Sequence, residues 1–384
     1  MSGVGNKRIL FLYAEVMGYT VAVLRALSDL GFELHVVHWD KRKLTNYKLP
    51  QLPNITFYPR SSMTSDEVVR LATSLEPEIT VVSGIQDKGY LRPAVRLRRM
   101  GLIVVSGFDT KWIGGVKQSL ARFIGKFGFF KLFFSHAWVP GPQQYEFVRR
   151  LGFRDQEILS DLYSADTSAY AAQESLSRDE KAEKYPHQFL FVGRLEPEKG
   201  LNTLKEAWLK LGNHRGDWRL LVVGSGSLES SLGGVPAMTI KGFMQPSELV
   251  SVAASTGCFV LPSVSEPWGV VVHEFAAAGL PMVLSSEVGS ARAFLIPGLN
   301  GYSFKSGDVE SLSHALLQVI RQSDATLFGF GEASSNLARR ITPFTSAANL
   351  AGLLYRRVKT DVSAGKIIGA PGAQRSPEFG ATTT

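Results

Sequence analysis

The chain has 384 residues, 45% of them hydrophobic, and a formal net charge of +8. That length suits two or three domains with filled cores, and the charge biases encounters toward polyanions: nucleotides, nucleic acid or an anionic membrane face. No stretch reaches the ~18 to 20 uninterrupted apolar residues of a membrane-spanning helix, Met1 to Asn6 lacks the apolar run of a secretory signal, and the single Cys258 excludes an internal disulfide, so a cytoplasmic globular protein with a buried, inert thiol is expected.

Short β-rich apolar runs alternate with segments of helical period, the pattern of parallel sheets covered by helices on both faces, so the fold class is α/β. In the first half the predicted strands are Arg8 to Tyr13, Glu33 to Trp39, Ile55 to Tyr58, Ile79 to Ser83, Leu102 to Ser106 and Lys131 to Val139. Gly18 stands at the first strand-to-helix crossing, and Asp109 follows the fifth strand in Ser106-Gly107-Phe108-Asp109. His136 lies in an apolar run and reads as a satisfied core histidine. The segment Lys111 to Phe134 mixes Lys111, Lys117, Arg122, Lys126 and Lys131 with Trp112, Phe123, Phe127, Phe129 and Phe130. Such a basic, aromatic helix suits an anionic membrane surface, where each nearby cation contributes about 1 kcal/mol, or packs on its own sheet.

Tyr163 to Pro186 is rich in Ala, Ser, Asp, Glu and Lys, with no apolar run for a central strand, and is read as the junction. Beyond it the predicted strands are Gln188 to Val192, Arg219 to Val223, Met238 to Lys241, Gly257 to Leu261 and Met282 to Ser285. Helices follow over Asp308 to Arg321, Thr326 to Arg339 and Phe344 to Val358, the last with Leu350, Leu353 and Leu354 on one stripe. The expected organisation is an N-terminal Rossmann-like domain over 1–162, a linker over 163–186, a C-terminal Rossmann-like domain over 187–340, a helix over 341–358 and a disordered tail over 359–384. Two such domains leave a cleft at the carboxyl ends of their strands, where ligands of open parallel sheets bind.

Three loops of the second half carry chemistry. After Gln188 to Val192 come Gly193, Arg194 and Lys199, close to a helix start, so two cations and a positive dipole end can converge on a diphosphate. Arg194 can instead pair with Glu196 or Glu198 on a solvated turn. Gly224 and Gly226 follow the next strand, but Glu229 stands where a dinucleotide fingerprint needs a third glycine, which speaks against a nicotinamide enzyme. The run Ser265 to Glu274 sets Glu266 at a strand end, Pro267 in the first turn of a helix opening near Trp268 to Val270, and Glu274 about two turns further on. Free N–H groups of Trp268, Gly269 and Val270 there can meet sugar hydroxyls or phosphate oxygens, or the two acids are simply a dipole partner and a surface residue.

Together these residues resemble the retaining glycosyltransferases of family 4, of the GT-B fold and the glycosyl transferases group 1. Those enzymes carry a Glu, seven residues, Glu motif with an aromatic-Gly pair inside it, met here by Glu266, Trp268, Gly269 and Glu274. Arg194 and Lys199 match the family's first-loop cations, Gly224 to Gly226 its Gly-x-Gly turn, and Asn300-Gly301 its Asn-Gly before a strand. The resemblance covers roughly Gln188 to Ile320. It implies that Glu266 lies against the donor sugar, Glu274 holds the ribose, and Arg194 and Lys199 neutralise the diphosphate. Gly18, Gly193, Gly224, Gly226, Trp268, Gly269 and Val270 would complete the donor site, with Asp109 touching sugar or acceptor. It further implies retention of anomeric configuration, a UDP- or GDP-sugar donor as substrate with no cofactor or metal, and a glycan or lipid-linked acceptor in cell-surface polysaccharide or glycoconjugate synthesis. Peripheral contact with the inner face of the membrane through 111–134 fits that acceptor class, and no nucleic acid is expected. The sequence departs at Gly18-Tyr19, where the family has a Gly pair, and at Gly289 to Ala293, which lacks the family's acid. A GT-B nucleotide-sugar epimerase and a non-catalytic sugar-nucleotide-binding subunit are the competing readings.

Overall fold

The structure, a computed structural model, describes residues 7–41, 47–85 and 87–363. It contains two fully parallel sheets. The first is built from β1 (Arg8–Tyr13), β2 (Glu33–His38), β3 (Ile55–Pro59), β4 (Ile79–Val82), β5 (Ile103–Gly107), β6 (His136–Trp138) and β7 (Ile158–Leu159), in the order β3-β2-β1-β4-β5-β6-β7. The second holds β8 (Gln188–Val192), β9 (Arg219–Val223), β10 (Met238–Lys241), β11 (Cys258–Leu261), β12 (Met282–Ser285) and β13 (Gly301–Phe304), in the order β10-β9-β8-β11-β12-β13. Central strands bury both faces under helices, which is why Ile9 to Leu12 or Phe189 to Phe191 are uninterrupted apolar runs rather than alternating ones. In register, Leu12 of β1 lies between Val37 and Val82, and Phe189 of β8 between Leu220 and Cys258.

Strand order reverses between β1 and β4 and again between β8 and β11. Loops leaving those strands diverge to opposite faces and open a crevice at the carboxyl edge of each sheet. The loops after β1, β4, β8 and β11 therefore border these crevices.

Several segments differ from expectation. The Phe-rich stretch before β6 is not a strand: Phe129–Leu132 is a 3-10 turn, Phe134 N–H bonds Phe130 C=O at 3.0 Å, and both rings are buried four residues apart, a helical spacing. The helix of the 111–134 segment covers only Val116–Lys126. The expected linker contains a helix, Thr167–Glu183, packed on the helices Pro246–Ala254, Val270–Ala277 and Asp324–Ala338 of the second lobe. Its buried residues are Tyr170, Ser177 and Lys181, only one of them apolar, and its one leucine, Leu176, is exposed, so no amphipathic stripe shows in a hydrophobic pattern. β7, two residues long, carried too little apolar signal to be predicted as a strand, and β13, with half its positions exposed to some degree, was expected only through the resemblance at Asn300-Gly301.

The last helix, Pro343–Ser363, returns to the first lobe and lies on the helix Gly18–Asp29. Ala347, Leu350, Ala351 and Leu353 join a core with Ile9, Leu24 and Leu27. This helix extends past Val358 to Ser363, and the rest of the expected tail lies outside the described residues, as does Met1 to Asn6. Cys258 is buried in β11, where burial pushes its thiol well up.

Candidate functional site

A cavity of about 1240 Å³ lies between the lobes, at the carboxyl edges of both sheets. All twelve residues expected to bind or act line it: Gly18 and Asp109 from the first lobe; Gly193, Arg194, Lys199, Gly224, Gly226, Glu266, Trp268, Gly269, Val270 and Glu274 from the second.

The second-lobe wall is made of three loops locked to one another. Leu195 N–H bonds Ser225 C=O at 2.9 Å, and Leu228 N–H bonds Leu195 C=O at 2.9 Å. A Cβ on Gly224 would stand 1.9 Å from Gly193 O, and one on Gly226 2.6 Å from Leu195 O. The paired glycines thus serve loop-on-loop contact first, which is why two suffice without the third of a dinucleotide fingerprint. Glu196 accepts from Ser227 N–H at 3.1 Å and Oγ at 2.6 Å, bonds that hold its carboxyl below the usual range. The third loop is tied in by Val264 N–H to Glu198 C=O at 2.9 Å and by Gly200, whose φ of 71° and approach to Pro262 O leave no room for a side chain.

This framework presents charge and backbone donors. Lys199 Nζ contacts Glu266 Oε2 at 2.5 Å, with side-chain exposures of only 16% and 11%, and Ser263 Oγ stands 3.5 Å from the same oxygen. Arg194, by contrast, is half exposed and reaches Glu198 at 2.8 Å, the surface pairing that competed with phosphate binding in the sequence. It lines the cavity while so paired.

The acidic motif is built differently from its expectation. β11 ends at Leu261, five residues before Glu266, which instead forms an isolated bridge with Val288. The helix opens at Val270, inside the expected range of Trp268 to Val270, but Gly269 caps it in the left-handed region at φ 87° and leaves Pro267 ahead of the first turn. Glu266 therefore precedes the helix and Glu274 sits on it. A Cβ on Gly269 would lie 3.0 Å from Glu266 Cγ, so glycine lets the carboxylate fold against the helix start. The described residues provide no acceptor for the N–H groups of Gly269, Val270 and Val271, as expected of a helix opening into a cavity. The Trp268 ring is buried against Gly141 and Phe294, so this residue contributes backbone rather than ring to the cavity. Burial, with a smaller push from Asp166, raises the Glu274 carboxyl to about 7.

The first-lobe wall adds residues that the sequence reading missed: Glu15, Tyr19, Asp40, Lys41, Tyr47, Lys48 and Tyr163. Tyr163 Oη donates to Asp109 Oδ2 at 3.2 Å and packs edge-on against Tyr19, their ring centroids 5.3 Å apart. Burial first, and the nearby Asp109 charge second, push the Tyr163 phenol well up. Position along the fold was the available signal, since Asp40 and Lys41 follow β2 at its carboxyl end as Asp109 follows β5. The lobes also touch directly. Gln144, buried at the start of the helix Pro142–Arg150, donates to Asp109 C=O at 3.2 Å and Pro267 C=O at 2.7 Å, and Lys111 pairs with Glu287. His136 is half-buried and bonds Ser135 Oγ at 2.9 Å. Among the described residues no helix is long and apolar enough to cross a membrane, and no His, Cys, Asp and Glu group of three or more is arranged to hold a metal.

Residues 172–334 match the family profile described as Glycosyl transferases group 1. The glycogen synthase of Mycobacterium tuberculosis is 32% identical over 142 residues, covering 35% of this chain and 34% of that protein. The sulfoquinovosyl transferase of Arabidopsis thaliana is 35% identical over 153 residues, covering 37% of this chain and 28% of that protein. The chain thus spans about a third of the length of the curated relatives it matches. Among solved structures, Anabaena HepE in complex with UDP and glucose superposes with a TM-score of 0.67 at 15% identity, over 91% of this chain and 100% of that one. Sucrose-phosphate synthase from Thermosynechococcus elongatus gives 0.68 at 16% identity, over 92% and 100%. The fold is GT-B, and its second lobe carries a glycosyl transferases group 1 domain.

Proposed function

We propose that the protein is a retaining glycosyltransferase of family 4 that moves a hexose-type sugar from a UDP- or GDP-sugar to a glycan or lipid-linked acceptor. The observation that carries this reading is the Lys199–Glu266 pair, held nearly out of solvent beside the open N–H groups of Gly269 to Val271. A diphosphate supplies the negative charge that such a cation and helix opening attract, and Arg194 can leave its exposed partner Glu198 to join them. Glu266 accepts hydroxyl protons of the sugar, and Glu274 accepts those of the ribose.

In transfer, an acceptor hydroxyl attacks the anomeric carbon from the face that the diphosphate leaves. The anomeric C–O bond breaks, and the departing phosphate oxygen takes the acceptor proton. Lys199 and Arg194 stabilise the charge that builds on that oxygen, so no metal is invoked for the role. Asp109 meets the acceptor from the opposite wall. The reading implies synthesis of cell-surface polysaccharide or glycoconjugate.

The same reading gives the exposed face of Val116–Lys126 a partner. Ile113, Val116, Leu120, Phe123 and Phe127 all stand in solvent beside Lys117, Arg122 and Lys126. Apolar side chains among cations suit an anionic bilayer surface at the cytoplasmic face of the membrane. Failure to co-sediment with anionic liposomes at low salt removes this part alone.

The central test incubates the protein with UDP-, GDP- and ADP-sugars, with and without acceptor glycans. Acceptor-dependent release of nucleotide supports transfer. Epimerised donor without acceptor, or binding without turnover against every acceptor class, contradicts it.

A further inference from the structure

The chain passes between the lobes twice, once ahead of the helix Thr167–Glu183 and once ahead of the helix Pro343–Ser363. The outgoing pass is tied to the helix that the returning pass leads into: Ser346 Oγ donates to Asp161 C=O at 2.5 Å, and Asn349 Nδ2 reaches Asp161 Oδ2 at 3.0 Å. His273 stands between the two passes, fully buried, one residue before Glu274. Its Nδ1 accepts the N–H of Ala165, on the outgoing pass, at 3.1 Å. Its Nε2 donates to the C=O of Ala338, where the returning pass begins, at 3.0 Å.

These bonds require one neutral tautomer, with the hydrogen on Nε2. The ring is stacked on Phe294, centroids 4.4 Å apart and planes within 12°, so it cannot turn without leaving both partners. Burial pushes its pKa down to about 4, which keeps the ring neutral as the bonds demand. An apolar side chain of the same shape would strand a buried N–H and a buried C=O.

The geometry points to His273 as a positioning residue: a pin that fixes both interlobe passes to the helix carrying Glu274, so that lobe orientation and the cavity carboxylate are set together. The helix Val270–Ala277 bears the open N–H groups at one end and Glu274 in the middle. Any shift of the passes against it alters the cavity. Hinge motion in such a protein is absorbed by a few residues at element ends. Ala165 and Ala338, held by the pin, bound the segments that can flex.

The test is hydrogen exchange on the full-length chain, comparing wild type with His273→Phe, His273→Asn and His273→Gln. Phe keeps the stacking and loses both bonds, so the Ala165 amide should exchange at least ~10-fold faster while amides of β8 and β11 stay unchanged. Asn places an acceptor near the Nδ1 position and should restore Ala165 protection, whereas Gln, whose amide extends toward the Nε2 position, should not. If His273→Phe fails to fold, the Asn and Gln comparison carries the test. Unchanged Ala165 exchange in a folded Phe variant, or identical exchange in the Asn and Gln variants, overturns the proposal. In steady-state assays of the same variants, loss of the pin should raise donor KM more than it lowers kcat. The exchange pattern does not depend on transferase activity, so a protein that shows it without turnover keeps the pin and loses the proposed function.

Discussion

The two walls of the cavity are made of different materials. The second-lobe wall is backbone and buried charge: glycines set loop against loop at van der Waals limits, and Lys199 and Glu266 are paired nearly out of water. The first-lobe wall is side chains, with Tyr19, Tyr163 and an exposed Asp109 beside Lys41 and Lys48. A wall set by backbone before any ligand arrives suits a moiety common to many substrates, such as a nucleoside diphosphate. A wall of side chains can change by substitution without disturbing the fold, and suits the partner that varies. The family profile begins at residue 172, after every residue of the first-lobe wall, and overlaps only the second-lobe wall.

The largest expected effect breaks the rigid wall. Lys199→Ala should lower kcat/KM by ~100-fold, since a charge-assisted contact in a nearly dry site contributes about 1.5 to 3 kcal/mol. Arg194→Ala should cost less, roughly ~10-fold, because its side chain is half exposed and already shared with Glu198. Steady-state kinetics on both variants ranks them, and equal losses would contradict the contrast between a buried and an exposed cation.

The softer wall should respond differently. Asp109→Asn should reduce acceptor-dependent turnover by ~10-fold and leave donor affinity alone, with Tyr163→Phe weaker in the same direction because it removes one neutral hydrogen bond to that carboxylate. A fall in donor affinity equal to the fall in turnover would place Asp109 on the donor instead.

Glu274 ties the second wall to pH. Its carboxyl is raised to about 7, so it is protonated in mild acid and accepts hydroxyl protons best above that point. Donor affinity should therefore rise from pH 6 to pH 8, and Glu274→Gln should flatten the profile. The sign for folding is opposite: ionising a buried carboxylate weakens the fold as pH rises toward 7.

The smallest effect lies outside the cavity. His187 bridges Asp217 at 2.8 Å and Asp324 at 2.9 Å. Partial burial alone would lower its pKa, but the two carboxylates raise it above its ordinary value. Its stabilising contribution is complete below the unfolded pKa of ~6.5 and is lost as pH rises through the higher folded value, an effect of about 1 kcal/mol at most for a partly exposed pair. Thermal melts of wild type and His187→Gln should converge at high pH.

The alternation of strands and helices was legible because central parallel strands are buried on both faces and leave continuous apolar runs, as in Phe189 to Phe191. The stretch from Phe129 to Phe134 misled for the same reason: its aromatics pack at a helical spacing, which a run of apolar letters conceals. The helix Thr167–Glu183 was missed because Tyr170 is its one buried apolar residue, the others being Ser177 and Lys181. In the second lobe, Arg194, Lys199, Glu266 and Glu274 stand in two short contiguous segments of sequence, so the sequence could group them before the cavity brought them together. The first-lobe wall draws Tyr19, Lys48, Asp109 and Tyr163 from four distant places, and only the sheet order brings them together.

Calorimetric titration of UDP-sugar and GDP-sugar into wild type and folded Lys199→Ala, at pH 8 and without acceptor, tests the central claim most directly. The account predicts that wild type binds at least one of these donors and that removing the ammonium weakens that binding by ~10- to 100-fold. Equal affinity in the two proteins, or no binding by wild type, would contradict it.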